Sequence, residues 1–181
     1  MPSVCVFCGS SVGNDPAFAD AAKELGRLLA KYECTLVYGG GKVGLMGIIA
    51  DEILRNSGNV IGVIPHFLYQ REVGHDGLSK LEIVESMHER KKRMADLTDY
   101  FIALPGGWGT MDELCEILTW RQLDLVKAPV GLLNTKSFFD PLLQQFDEMT
   151  QKGFVNAANS KTLIVAKEPL ELLTMLGVVA V

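Results

Sequence analysis

Short apolar runs of strand length alternate along the chain with longer stretches in which apolar residues recur every three or four positions. The first such pairs are SVCVFCG (3–9) with DPAFADAAKELGRLLAKY (15–32), and TLVYGGG (35–41) with VGLMGIIADEILRNSG (43–58), followed by NVIGVIP (59–65). Period-two runs predict strands and period-3.6 stretches predict amphipathic helices. Asn14 or Asp15 can cap the first helix ahead of Pro16, and Asn56-Ser57-Gly58 ends the second. The glycine-broken, polar segment from His66 to Lys80 reads as a loop. The rhythm then resumes with strand LEIVES (81–86), helix MHERKKRMADLT (87–98), strand DYFIALP (99–105), helix TMDELCEILTWRQLDLV (110–126), strand PVGLLN (129–134), helix FFDPLLQQFDEMTQKG (138–153), strand TLIVA (162–166) and helix EPLELLTML (168–176). Strand–helix alternation of this kind predicts a doubly wound parallel α/β sheet, Rossmann-like, with helices on both faces. Residues 1–181 read as one domain, without repeat or linker.

In such sheets ligands collect beyond the carboxyl ends of the strands. That rule puts Gly9-Ser10-Ser11, Gly39-Gly40-Gly41, Pro105 to Thr110 and Asn134 on one rim. The formal net charge of −5 gives no general attraction to nucleic acid or to an anionic membrane, so neither is expected as a partner, and an anion must be captured locally. The apolar runs stay well short of a membrane span, and MPSVCVFCGSS lacks the features of a secretory signal, which predicts a cytoplasmic protein. The four cysteines suit that compartment; Cys5 and Cys8 lie three apart on a strand, point to opposite faces and read as small buried hydrophobes. His66, His75 and His88 form no metal-ligand pattern, and no metal or cofactor is expected.

Three stretches carry candidate chemistry. Gly39-Gly40-Gly41-Lys42-Val43-Gly44 fits the dinucleotide pattern GxGxxG, but the next strand ends IGVIPHF without the acid that would hold a ribose. Val43 after Lys42 also departs from the phosphate-loop pattern, so the turn is either a tight turn or a contact with another nucleotide. In His88-Glu89-Arg90-Lys91-Lys92-Arg93-Met94 a helix begins on the rim with Met87, Met94 and Leu97 facing the core, so some of its cations must point along the rim, and Arg90 offers the better fork for an anion. In LPGGWGTMDE (104–113) the glycines and a helix start suit a phosphate, yet Asp112 and Glu113 would repel one. Thr110-x-x-Glu113 also reads as a capping box, which would give Glu113 a structural duty alone.

PGGWGTMDE at 105–113 resembles the PGGxGTxxE signature of the LONELY GUY family, and Met87-His88-Glu89-Arg90-Lys91 resembles that family's second element. CVFCGSS, LVYGGGKVGLMG, LTWRQL and PVGLLN extend the likeness over nearly the whole chain. The resemblance implies a dimeric enzyme that hydrolyses a nucleoside 5′-monophosphate, a cytokinin ribotide and often AMP, to free base and ribose 5-phosphate. It implies Arg90 and Glu113 as catalytic residues, with Glu72, Arg90, Lys91, Gly107, Trp108, Gly109, Thr110, Met111, Asp112, Glu113 and Thr119 contacting substrate. Under that reading the amides of Gly107, Gly109 and Thr110 take the phosphate while Glu113 stabilises charge at the sugar. Trp108 and Asp124 stand where tyrosine and glycine are common. Lysine decarboxylase, a label many relatives carry, would need a pyridoxal-binding lysine setting that the sequence does not offer. A non-catalytic carrier resembling molybdenum cofactor carrier proteins is the alternative, and a dinucleotide oxidoreductase a weaker third.

Overall fold

The computed structural model describes residues 1–70 and 74–179. Its elements follow the expected alternation: β1 (Ser3–Phe7), α1 (Pro16–Lys31), β2 (Thr35–Tyr38), α2 (Gly44–Arg55), β3 (Asn59–Pro65), α3 (His66–Tyr69), β4 (Lys80–Val84), α4 (Met87–Asp96), β5 (Tyr100–Ala103), α5 (Trp108–Gln122), β6 (Val130–Leu133), α6 (Asp140–Gln151), α7 (Ala157–Ser160), β7 (Leu163–Ala166) and α8 (Pro169–Leu176). The strands form one seven-stranded sheet in the order β4-β3-β2-β1-β5-β6-β7, and every pairing is parallel. The order reverses between β1 and β5, so the loops leaving those strands diverge and open a crevice at the topological switch point.

The sheet separates two apolar layers. On one face α1 and α2 pack Leu25, Leu29, Ile49 and Ile53 over β2 and β3, and α8 packs Leu172 over β6 and β7. On the other, Met94, Leu114, Ile117 and Phe139 pack against Phe7, Val37 and Phe101. Cys5 belongs to the second layer and Cys8 to the first, and both are free and buried, as alternation along β1 requires.

Local signals account for most helix ends. The Asp15 side chain accepts a hydrogen bond from Ala17 N at 2.9 Å, with Pro16 opening α1, and Asn56 is the C-cap of α2, followed by Ser57 at φ 57°. The expected loop 66–80 contains the single turn α3, and Gly74 bridges to Gly41.

The start of α5 differs from the expectation. The capping-box reading places Thr110 at the N-cap; the N-cap lies three residues earlier, at Gly107, which has no side chain to offer. Thr110 lies inside the first turn and is buried, its hydroxyl against Gly106, where a Cβ would come within 2.1 Å of it. The side-chain cap falls on α4 instead: Ser86 Oγ accepts from Glu89 N at 3.1 Å while Glu89 Oε2 accepts from Glu85 N at 2.9 Å. The signature Ser86-x-x-Glu89 stands in the sequence and marks that helix start.

Candidate active site

The switch-point crevice is a cleft of about 220 Å³ between the β1 loop, Gly9 to Gly13, and the β5 loop, Pro105 to Gly107. Gly9 N donates to Pro105 O at 3.1 Å and Leu45 N to Gly9 O at 3.0 Å, so both loops and the start of α2 are tied together. Gly44 is required here: its φ is +62°, and a Cβ would lie 2.2 Å from the Ser10 carbonyl carbon. The first N–H groups of α5, from Trp108 through Thr110, precede the intrahelical ladder that opens with Met111 N donating to Gly107 O. They form an anion-attracting end beside the cleft. Trp108 is 93% exposed on the first helical position.

Gly39-Gly40-Gly41 and Asn134 also lie beyond the carboxyl ends of their strands, β2 and β6. Asn134 is occupied in closing its own loop, donating to Asp140 Oδ1 at 2.7 Å and accepting from Phe139 N at 2.8 Å.

Of the four cations on α4, one faces this rim. Arg90 is buried, its Nε donating to Val63 O and its Nη2 to Gly39 O, each at 3.1 Å, with Met87 Sδ 3.8 Å from Nη1. Arg93 forks onto Glu82 at 2.7 and 3.0 Å, and Lys92 pairs with Asp96. The Arg93 fork and the Lys80 ammonium hold the Glu82 carboxyl at about 2, well below its ordinary range. Lys91 turns toward α5 and bridges Asp112 at 3.1 Å and Glu116 at 3.0 Å. Burial opposes its charge, but the hydrogen bonds and charges of Glu116 and Asp112 outweigh burial and raise it.

Glu113 is partly buried in the second turn of α5 and lines a small recess with Phe7, Lys91, Phe101, Glu116 and Trp120. Burial, and then the Glu113 charge, push the Cys5 and Cys8 thiols well up, so both are neutral. Met111 and Asp112 occupy the same turn, Met111 partly buried against the core and Asp112 facing Lys91. Thr119 is apart from these residues: it lines an apolar groove with Cys115, Leu118, Phe146, Met149 and Val155, two turns beyond Glu113. Glu72 lies outside the described residues.

Residues that hold the site without a sequence motif sit on the neighbouring loops. His75 is buried, with Nε2 2.9 Å from Asp51 Oδ1 while Nδ1 accepts from Gly77 N at 3.2 Å. Its backbone N donates to Gly40 O at 3.0 Å and so pins the loop 74–79 to the turn that carries Arg90's anchor. Among the described residues no group of three or more His, Cys, Asp or Glu side chains could hold a metal ion, and no helix is long and apolar enough to cross a membrane.

Sheet order, glycine turns at the switch point and a helix start aimed beside them define a Rossmann-like α/β protein with an anion-receptive rim. Residues 46–176 match the family described as "Possible lysine decarboxylase". The chain is 48% identical over 170 residues to a "Probable cytokinin riboside 5'-monophosphate phosphoribohydrolase" of Oryza sativa subsp. japonica, covering 94% of this chain and 76% of that protein. It is 43% identical over 173 residues to a cytokinin riboside 5′-monophosphate phosphoribohydrolase of Arabidopsis thaliana, covering 96% and 81%. The chain belongs to this phosphoribohydrolase family, the LONELY GUY family. Among solved structures, the molybdenum cofactor carrier protein of Chlamydomonas reinhardtii superposes with a TM-score of 0.72 over 99% of both chains at 19% identity. The molybdenum cofactor binding protein of Rippkaea orientalis gives 0.71 over 98% of this chain and 96% of that one at 22%. These two share the fold. A pyridoxal-dependent decarboxylase does not fit the residues present: among the described residues no lysine is buried, and Lys91, the least exposed near the rim, is held by two carboxylates.

Proposed function

We propose that the protein hydrolyses the N-glycosidic bond of cytokinin riboside 5′-monophosphates, and of AMP, releasing the free base and ribose 5-phosphate. The observation that carries this reading is the pairing, on one helix, of an uncapped N-terminus at Gly107 with the carboxylate of Glu113, in a chain 43–48% identical to phosphoribohydrolases. The amides of Gly107, Gly109 and Thr110 receive the phosphate, and the ribose extends from there toward Glu113. As the base departs with the bonding electron pair, positive charge develops at the anomeric carbon, and the nearby carboxylate favours that state. Glu113 also takes a proton from the attacking water, whose oxygen bonds the anomeric carbon, and the departing base nitrogen gains a proton. Arg90, locked by two backbone carbonyls, presents a fixed positive charge that orients the substrate. Glu72, Trp108, Met111, Asp112 and Thr119 are the further substrate contacts that the family resemblance supplies.

The reading includes a homodimer. Apolar side chains spread over most of α5, from buried Leu114 and Ile117 to exposed Leu123 and Leu125 in the turn that follows, and such a helix calls for cover beyond one core. No residue of α6 is buried although Leu142, Leu143, Phe146 and Met149 lie along it. A second copy seated there would bring Thr119 to a site that its own chain keeps from it. Four unpaired cysteines, three of them buried, accord with the reducing cytoplasm.

Chromatography of the protein incubated with AMP and with isopentenyladenosine monophosphate tests the activity. Free base from the monophosphate, and none from the nucleoside lacking phosphate, is the expected result. Equal turnover of both sinks the phosphate-clamp argument; intact nucleotides after long incubation favour a carrier. Light scattering at micromolar concentration tests the dimer, which a monomeric mass would contradict.

A further inference from the structure

Three glycines in a row, Gly39 to Gly41, form the turn on which Arg90 rests, and none of them has a side chain to anchor it. A Cβ at Gly39 would lie 2.0 Å from Arg90 Nη2, and Gly40 has a φ of +78°, which L side chains rarely adopt. A segment of this kind is costly to order and must be held from outside. Hydrogen bonds to its backbone hold it: Gly39 O accepts from Arg90 Nη2 at 3.1 Å, Gly40 O accepts from His75 N at 3.0 Å, and Gly41 bridges to Gly74. We infer that His75 and Asp51 are a positioning pair for the proposed reaction, setting the glycine turn and through it the seat of Arg90. The inference rests on the phosphoribohydrolase reading and extends it to two residues outside the glycine-rich and basic motifs.

The buried imidazole fixes this loop through both of its nitrogens. Nδ1 accepts from Gly77 N at 3.2 Å and therefore carries no proton, so Nε2 carries it and donates to Asp51 Oδ1 at 2.9 Å. With one nitrogen donating and the other accepting, the ring has nothing left to offer a substrate, and its task is to hold. Asp51 belongs to α2, where its second oxygen lies 3.8 Å from Arg55 Nη2. The same helix is tied at its start to the cleft, since Leu45 N donates to Gly9 O. Leu45 and Asp51 are six residues apart, about 9 Å along the axis. One rigid helix thus holds the β1 loop at one level and, through His75, the seat of Arg90 at another. The pair thereby sets the distance between the cleft beside the anion-attracting helix start and the cation that orients the substrate.

The test compares Asp51→Ala, His75→Ala and His75→Gln, each made in the wild-type and in the Arg90→Ala backgrounds. Single-turnover AMP hydrolysis with enzyme in excess gives the rate of every variant, slow ones included, and thermal unfolding in parallel shows that each is folded. A shift of a fraction of an ångström at Arg90 should lower the rate of Asp51→Ala and of His75→Ala by about tenfold, since an ångström costs about a hundredfold. His75→Gln keeps a donor at the reach of Nε2 and should recover most of that loss. In the Arg90→Ala background the same substitutions should change the rate by less than about twofold, because the group they act through is gone. A merely structural role would lower the rate equally in both backgrounds, and that result overturns the inference, as does a wild-type rate in folded Asp51→Ala and His75→Ala. Should His75→Ala not fold, Asp51→Ala decides, because the Asp51 side chain is 42% exposed and its removal leaves no buried cavity. Failure of the wild type to release adenine defeats the phosphoribohydrolase reading instead, before any variant is compared.

Discussion

Replacing Gly39 with alanine should displace Arg90 without altering it. Gly39 is not among the residues with left-handed backbone, so alanine meets no strain from φ. Its Cβ would instead lie 2.0 Å from Arg90 Nη2 and 3.1 Å from Cζ, with Met46 Sδ at an ordinary 3.4 Å. The end of a long side chain can yield, so the fold survives, but the guanidinium leaves the carbonyl it donates to at 3.1 Å. A hydrogen bond from a charged donor contributes about 1.5–3 kcal/mol. At roughly 2–4 °C per kcal/mol for a chain of this size, Tm should fall by about 3–12 °C. The functional effect should be larger, because moving a positioning group by about 1 Å costs on the order of a hundredfold in rate, about 2.7 kcal/mol of barrier. The assay is kcat/KM for AMP with thermal unfolding measured in parallel, in both the wild-type and Arg90→Ala backgrounds. With Arg90 removed the clash has no partner, so Gly39→Ala should then be nearly neutral. Activity within threefold of wild type, or an equal loss in both backgrounds, would refute the assignment of Gly39 as the seat of the guanidinium.

Three further outcomes follow from the same structure. Glu113→Gln should lower kcat by about 10²–10⁴-fold, the usual span of a lost acid–base group, while calorimetry finds ribose 5-phosphate binding retained; a carrier would be indifferent to the change. Asp124→Gly should raise stability by about 0.5–1 kcal/mol, read as a Tm increase of a few degrees, because Asp124 holds φ 57° in the turn that ends α5. Glu82, held at about 2 by Arg93 and Lys80, contributes stability that is present above the ordinary carboxylate range near 4.5 and is lost as pH falls toward 2. Denaturant unfolding should therefore find Glu82→Gln less stable than wild type at pH 6, by about 1 kcal/mol or less given the exposure of Arg93, with the gap closing below pH 4.

The parallel sheet and the rim were legible because their signals are local: strand runs, helical periods, and glycines placed where strands end. What escaped was carried by backbone from distant parts of the chain. The sequence favours Arg90 for its fork but gives no sign of its burial, since its two anchors are carbonyls 27 and 51 residues away and a carbonyl has no letter in the sequence. The start of α5 was read two residues late because a glycine N-cap has no side chain to announce it, whereas Thr110 and Glu113 imitate a capping box. Asp124 had no account from sequence and gains one from conformation. Asp124 N donates to Arg121 O at 3.1 Å and Leu125 N to Trp120 O at 2.9 Å, a Schellman ending whose left-handed residue is usually glycine.

The opposition between phosphate and carboxylate on LPGGWGTMDE dissolves once the helix start is known. With the helix opening at Trp108, the free N–H groups point outward at the first turn, and Glu113 stands five positions later. From Thr110 to Glu113 the axis rises by about 4.5 Å, so the two functions occupy different levels of one helix. The first level has partial positive charge and no side chain in the way at Gly107 or Gly109, where an added Cβ would meet nothing within 4 Å. The second level has a carboxylate and neighbouring acids whose charge Lys91 offsets. A ligand with an anionic end and a centre that becomes cationic matches that gradient, and a nucleoside monophosphate losing its base is such a ligand. A ligand with two anionic ends would match only the first level, and for this reason the carboxylate, more than the glycines, discriminates an enzyme from a phosphate carrier.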